Sequence, residues 1–197
     1  MRKLIAVENV SLDGVMQSPG RPDEDTRGGF ARGGWASELL MADQEAAMAA
    51  MGGQGATTGM LFGRRTYDDL VGFWLSTPDP NPFTEILRTT PKFVATSNPE
   101  LEHPNSSALD GPVEAAVAAL KEEGEGDLVI LGSGMLVRAL AAADLIDEYV
   151  LTILPVVLGT GTRLFGETYA PLTVTRTFTS PTGIVVATYA VSRAPRG

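Results

Sequence analysis

A turn rich in basic groups follows the second predicted strand of the sequence. Residues 61–67 read as a strand end, the glycine Gly63 and the start of a helix that carries Arg64, Arg65 and Thr66. Free backbone N–H groups and the positive end of a helix dipole attract anions at such a place. Guanidinium and hydroxyl groups add donors that suit phosphate oxygens. The turn therefore predicts a phosphate site, with a solvated arginine pair at a helix start as the alternative.

A second, glycine-rich turn joins another predicted strand to a helix. The turn and its flanks comprise Leu131, Gly132, Ser133, Gly134, Met135 and Leu136. Glycines allow a pyrophosphate to approach the backbone closely, although Val137 stands where the long G-x-G-x-x-G fingerprint has its last glycine. A tight turn without a ligand is the alternative for this segment.

Small polar side chains follow the third predicted strand. Thr96 and Ser97 stand at its carboxyl end, where an ordinary turn is the alternative reading. Ligands of open α/β sheets bind outside the carboxyl ends of the strands. Because three strand ends carry groups suited to anions, we expect one phosphate-bearing ligand to lie across all three.

The composition describes a globular chain with few options for metal or cysteine chemistry. Its 197 residues are 44% hydrophobic and 20% charged, and a net charge of −9 argues against a nucleic-acid partner. With no cysteine and a single histidine, His103, we expect no disulfide and no metal site. Glu8 interrupts the apolar run behind Met1, and glycines interrupt the charge-free stretch 46–63, so neither export nor membrane insertion is expected. A cytosolic location is the prediction.

The order of the predicted elements favours one α/β domain over residues 1–197. Strands at 4–10, 57–62, 92–96 and 128–131 alternate with helices, which predicts parallel crossovers. Strand-like segments at 149–154, 172–179 and 184–191 have no helices between them, which predicts antiparallel pairing at one end of the same mixed sheet. Three further segments are predicted as a mobile lid over 18–34, a helix from the N-cap Ser37 through Met51, and a polar loop over 98–111.

At four motifs the chain resembles a known superfamily. These are Ser11-Leu12-Asp13-Gly14, the turn at 62–67, the turn at 131–134 and the long run over 145–165. Together they resemble the dihydrofolate-reductase-like proteins that share the reductase domain of bacterial riboflavin biosynthesis. The resemblance covers nearly the whole chain. It implies a mixed, mostly parallel sheet flanked by helices, NADPH as the cofactor, and a homodimer.

The resemblance also implies roles for the three turns. Gly63, Arg64 and Thr66 would hold cofactor phosphates, Thr96 and Ser97 would approach the 2′-phosphate of the adenosine, and residues 132–136 would meet the pyrophosphate. Arginine forks recognise the additional charge of a 2′-phosphate, so Arg64 together with Arg65 favours NADPH over NADH.

Departures from the family pattern affect the substrate side. Dihydrofolate reductases have two consecutive glycines joined by a cis peptide where this chain has Gly132-Ser133, which leaves the geometry of that bond open. They also place a carboxylate in the first helix. Asp43 is the candidate for this catalytic role here, with a solvated helix acid as the alternative. Asp13 and Trp35 are candidates for the substrate pocket, or else a turn residue and an anchor.

The hypothesis from the sequence is an NADPH-dependent reductase of a small heterocyclic substrate. The resemblance implies a 5-amino-6-(5-phosphoribosylamino)uracil reductase-like activity or a pterin-reducing, dihydrofolate-like one. A non-catalytic nucleotide-binding or partner-interaction protein on the same fold is the alternative.

Overall fold

The computed structural model describes residues 1–51, 57–167 and 169–192. The strands are β1 (Leu4–Ser11), β2 (Thr57–Gly63), β3 (Lys92–Ala95), β4 (Ser106–Ala108), β5 (Asp127–Leu131), β6 (Glu148–Leu154), β7 (Leu172–Thr179) and β8 (Val185–Val191). The helices are α1 (Ser37–Ala42), α2 (Gln44–Met51), α3 (Arg64–Thr66), α4 (Gly72–Ser76), α5 (Pro82–Thr89), α6 (Val113–Glu122) and α7 (Gly134–Ala142).

The α/β class predicted from the sequence is confirmed. The strand pairing is mixed: β2 pairs in parallel with β3 and β5, β3 with β4, and β1 with β6, whereas β8 pairs antiparallel with both β6 and β7. By its contacts the chain divides into two compact units. We call Met1–Leu4 with Gly55–Leu145 the first unit, and Ile5–Gln54 with Ile146–Gly197 the second unit.

The first unit contains four parallel strands in the order β4-β3-β2-β5. Its helix after β2 runs from α3 through a π-helical turn, Tyr67–Val71, into α4. Apolar side chains of β2, β3, α5 and this helix form its buried cluster: Met60, Phe62, Tyr67, Val71, Leu87 and Val94. The Tyr67 hydroxyl also accepts a hydrogen bond from the His103 N–H (3.0 Å), which attaches the loop after β3 to the helix.

The second unit contains strands in the order β1-β6-β8-β7. Beyond β1 the chain pairs with the loop after β6: Leu12 N–H donates to Val156 O and Met16 N–H donates to Thr162 O, both at 2.9 Å. Val15, Phe30 and Leu158 are buried beneath these loops. The two loops are therefore joined along most of their length.

Three predictions about local structure are wrong. The helix expected over residues 37–51 is interrupted at Asp43, which has a non-helical backbone (φ −127°, ψ 80°) and separates α1 from α2. Ser37 is not its N-cap, because Ala36 precedes α1 and the Ser37 hydroxyl donates to Gly20 O. The polar segment 98–111 contains β4, whose three small residues carry no apolar alternation by which to predict a strand.

The segment 18–34, predicted as a mobile lid, is an internally bonded loop. Gly34 N–H donates to Ser18 O (2.8 Å) at its base. The Gln17 amide donates to the carbonyls of Asp25 (3.1 Å) and Arg27 (3.0 Å), and its oxygen accepts from Thr162 N–H (2.9 Å). One side chain thus ties the loop to the segment after β6.

Among residues 1–51, 57–167 and 169–192, no helix is both long and apolar enough to cross a membrane.

Candidate functional site

The carboxyl ends of three parallel strands meet at one edge of the first unit. β2 pairs with β3 and with β5, and Gly63 at the end of β2 lies opposite Ala95 at the end of β3. The segments that follow these strands are the three turns singled out in the sequence. The structure therefore brings Gly63–Thr66, Thr96–Ser97 and Gly132–Leu136 to one edge, as the strand order requires.

The turns after β2 and β5 contact each other directly. Gly63 N–H donates to the Ser133 hydroxyl oxygen at 2.8 Å. A Cβ atom added at Gly132 would stand 3.1 Å from the Cγ2 methyl of Thr66, and Gly132 has a φ of +63°. The peptide between Gly132 and Ser133 is trans, and Ser133 is also left-handed, with a φ of 64°. A side chain at Gly132 would therefore crowd Thr66 and strain the backbone.

Two helix starts at this edge have free donors and no neutralising acid. Ser133 is the N-cap of α7, but its side chain caps no backbone N–H of that helix, and the first turn of α7 contains no acidic residue. The first turn of α3 has no acidic residue either. Because the first N–H groups of a helix have no acceptor within it, both starts keep donors and partial positive charge available for an anion.

The two arginines of the turn differ in their surroundings. The Arg64 Nε donates to both carboxylate oxygens of Asp68 (2.9 and 2.8 Å), and its Nη1 donates to the carbonyls of Glu100 (3.1 Å) and Asn98 (3.4 Å). The hydrogen bond that Arg64 donates to the Asp68 carboxylate raises the pKa of Arg64. Arg65 is exposed and makes no hydrogen bond or ion pair within the described part of the chain. Arg64 thus fixes the loop after β3, while Arg65 is available to a ligand.

The polar residues after β3 are also accessible. Thr96 Oγ1 accepts from Asn98 N–H at 3.1 Å, which shapes the turn. Ser97 is exposed. Because Arg64 bonds to the carbonyls that follow these residues, it also sets their distance from the start of α3.

In the second unit, Asp13 organises the loop after β6. One of its carboxylate oxygens accepts from the Ser11 hydroxyl (2.7 Å) and Leu158 N–H (3.0 Å), and the other accepts from Gly159 N–H (2.9 Å). These bonds, led by that from Leu158, lower the pKa of Asp13 to about 2. Both carboxylate oxygens are engaged in hydrogen bonds within the fold. The geometry therefore supports a role of Asp13 in shaping the turn and does not support a role in a substrate pocket.

We expect the Asp13→Asn variant to unfold at a lower temperature than the wild type at neutral pH. An asparagine would turn an N–H₂ group toward the backbone N–H of Leu158 or of Gly159, which now donates to the carboxylate. Since the pKa is lowered in the fold, the carboxylate stabilises the protein above the ordinary pKa of 3.8, and this contribution disappears as pH falls through about 2. Scanning calorimetry across pH measures both effects. Asp23→Asn, at an exposed acid (86% of the side chain), is the control, and an equal loss there would contradict the assignment.

Asp43 and Trp35, the other two candidates on the substrate side, are held by internal contacts. Asp43 accepts from Ala46 N–H (3.0 Å) at the start of α2 and from the Thr182 hydroxyl, and these bonds, led by that from Thr182, lower the pKa of Asp43. Such an acid is a helix cap and a poor proton donor, so the catalytic role stays a prediction that the geometry does not support. Trp35 Nε1 donates to Gln17 O (2.8 Å), and its ring packs on the cluster under the loops.

Sequence reasoning missed the acid Glu8, which it used only as an interruption of an apolar run. Glu8 lies in the middle of β1, is 4% exposed, and its Oε1 has no hydrogen-bond partner among the residues that the structure describes. Burial raises the pKa of this carboxyl well above its ordinary value. A charged residue type within an apolar strand was the available signal, because it requires either a partner or protonation.

Among the described residues, no three His, Asp or Glu side chains are grouped so that they would hold a metal ion.

Two solved structures define the fold class. A protein of Shewanella sp. PV-4 ascribed to riboflavin biosynthesis superposes with a TM-score of 0.64 at 21% identity, over 98% of this chain and 100% of that one. Dihydrofolate reductase of Enterococcus faecalis, solved with NADP(H), superposes with a TM-score of 0.56 at 18% identity, over 97% of each chain. At such identities the likeness establishes the fold, which is dihydrofolate-reductase-like.

The sequence comparison defines the family. The profile of the RibD C-terminal domain matches residues 2–186, and the chain belongs to that family. The chain is also 34% identical over 76 residues to the uncharacterized protein YwjB of Bacillus subtilis (strain 168). That alignment covers 38% of this chain and 44% of YwjB, so it spans less than half of the relative's length. The family predicted from the motifs is confirmed.

Proposed function

We propose that this protein is an NADPH-dependent reductase of a small heterocyclic substrate. The observation that carries the proposal is the meeting of three turns at one strand edge of the first unit, with two helix starts that no acid neutralises. Membership of the RibD C-terminal domain family and the fold shared with a dihydrofolate reductase solved with NADP(H) support it.

The residues of the first unit fit a dinucleotide phosphate. Gly132 lies close to Thr66 and has no side chain, so the backbone of this turn is bare. A pyrophosphate that approaches the backbone closely would require this. The backbone of residues 131–136 would meet the pyrophosphate, and Gly63 with Thr66 would meet phosphates from the other turn. Thr96, Ser97 and the exposed Arg65 would hold the 2′-phosphate, while Arg64 positions their loop.

When bound, NADPH supplies a hydride equivalent, so the protein has little covalent work to do. The turns of the first unit orient the cofactor. In the second unit Gln17 joins the loop 18–34 to the segment after β6, so we expect any closing motion to carry both loops together. The homodimer implied by the resemblance remains a prediction.

The proposed substrate class is a pyrimidine or pterin ring, and turnover tests it. Purified protein with NADPH is mixed with 5-amino-6-(5-phosphoribosylamino)uracil, and separately with 7,8-dihydrofolate, and the absorbance of reduced nicotinamide is followed. We expect substrate-dependent loss of NADPH with one ring class. Tight NADPH binding with no substrate-dependent oxidation for either class would contradict the reductase and favour a non-catalytic nucleotide-binding protein.

A further inference from the structure

Asn9 is a polar residue near the carboxyl end of a strand that is otherwise mostly apolar. β1 and β6 run in parallel, and Asn9 lies opposite Thr152 in their register. Each residue stands two positions before the end of its strand. Ligands of α/β sheets bind at the carboxyl ends of parallel strands, so this pair lies where a ligand of the second unit is expected.

The face of β1 that carries Asn9 is partly open. Successive side chains of a strand point to opposite faces, so Val7 and Asn9 share one face while Glu8 and Val10 share the other. Val7 and Asn9 are partly exposed, whereas Glu8 and Val10 are 4% and 5% exposed. The face of Asn9 is therefore the one that a ligand can reach.

Asn9 also differs from the other polar groups near these strand ends and loops. The carboxylates of Asp13 and Asp43, the amide of Gln17 and the indole N–H of Trp35 are all engaged within the second unit. The Asn9 amide makes no hydrogen bond to any residue that the structure describes. Its donor and acceptor are free.

We propose that Asn9 binds the lactam edge of the substrate ring and so determines which heterocycle the protein accepts. The proposal rests on the reductase function proposed above. A carboxamide offers a donor beside an acceptor, and the lactam of a uracil or pterin ring offers an N–H beside a carbonyl. The two edges form a pair of hydrogen bonds in one plane. A site built on such bonds rejects rings that lack the matching groups.

Calorimetric titration without cofactor tests the proposal, with 5,6-diaminouracil and 2,4-diaminopyrimidine as the probes. The wild type is expected to bind 5,6-diaminouracil. Asn9→Asp turns an acceptor toward the ring carbonyl, so the ratio of the two affinities should shift at least about tenfold toward 2,4-diaminopyrimidine. Asn9→Ala removes the carboxamide bonds to either ring, so it should bind both probes roughly tenfold more weakly and leave the ratio of their affinities unchanged.

Asn81→Asp is the matched control. Asn81 caps α5 in the first unit, and aspartate caps a helix equally well, so this variant adds the same charge and should bind both probes as the wild type does. Thermal unfolding confirms that each variant is folded. Unchanged binding in Asn9→Asp and Asn9→Ala would overturn the proposal, and so would a wild type that binds NADPH but neither probe. A wild type that binds no NADPH would instead contradict the proposed function.

Discussion

Replacing Gly132 by valine is expected to weaken NADPH binding at least about tenfold while the protein stays folded. The added Cβ would stand 3.1 Å from the Thr66 methyl, so the side chain displaces a residue that we assign to phosphate binding. It also covers the backbone that a pyrophosphate would approach. Calorimetric titration with NADPH measures the loss.

Gly111→Val separates crowding of the turn from backbone strain. Gly111 has a φ of +73°, close to the +63° of Gly132, but a Cβ there would meet no atom within 4 Å. Both variants should lose about 1–2 kcal/mol of unfolding free energy or somewhat more, because a left-handed φ disfavours a side chain. Only Gly132→Val should lose affinity for NADPH. Equal affinities in the two variants would contradict the role of the turn.

Replacing Glu8 by glutamine is expected to stabilise the protein at neutral pH. An unfolded chain ionises this carboxyl near its ordinary pKa of 4.5, whereas burial raises the pKa in the fold, where no described residue bonds to Oε1. Between the two pKa values the unfolded state binds fewer protons. The unfolding free energy of the wild type therefore falls as pH rises through that interval, by up to about 1.4 kcal/mol per pH unit.

Glutamine keeps the shape of the side chain and does not titrate, so Glu8→Gln should lack this decline. Urea unfolding at several pH values above about 5 measures it. Glu125→Gln removes the same charge at an exposed position of the first unit and should keep the decline of the wild type. A lower unfolding free energy for Glu8→Gln at every pH would show that the carboxyl has a partner and refute the account.

The position of the turns that we assign to phosphates was predictable from the sequence, because glycine-interrupted strand–helix junctions are local patterns. Gly63–Thr66 and Gly132–Leu136 lie within a few residues of a strand, and the strand order brings them together. The different surroundings of Arg64 and Arg65 were not predictable. They depend on carbonyls more than 30 positions away in the chain, which the motif does not contain.

The roles of the substrate-side candidates were less predictable, because they too depend on contacts between residues far apart in the chain. Residue type identifies Asp13 and Asp43 as acids, but only the fold shows that backbone N–H groups and hydroxyls engage them. Conversely, Asn9 and Glu8 sit within an apolar strand pattern, and only tertiary packing shows that the Asn9 amide and Glu8 Oε1 bond to none of the described residues. At the interruption of the helix, Asp43 likewise accepts a hydrogen bond from the distant Thr182.

Parallel calorimetric titrations of the wild-type protein with NADPH and NADH test the central claim most directly. The claim is that the three turns of the first unit form a site for a phosphorylated dinucleotide. We predict that NADPH binds and that NADH binds at least about tenfold more weakly, because only NADPH presents a 2′-phosphate to Thr96, Ser97 and Arg65. Arg65→Ala should remove most of that difference. Failure of both dinucleotides to bind would contradict the claim.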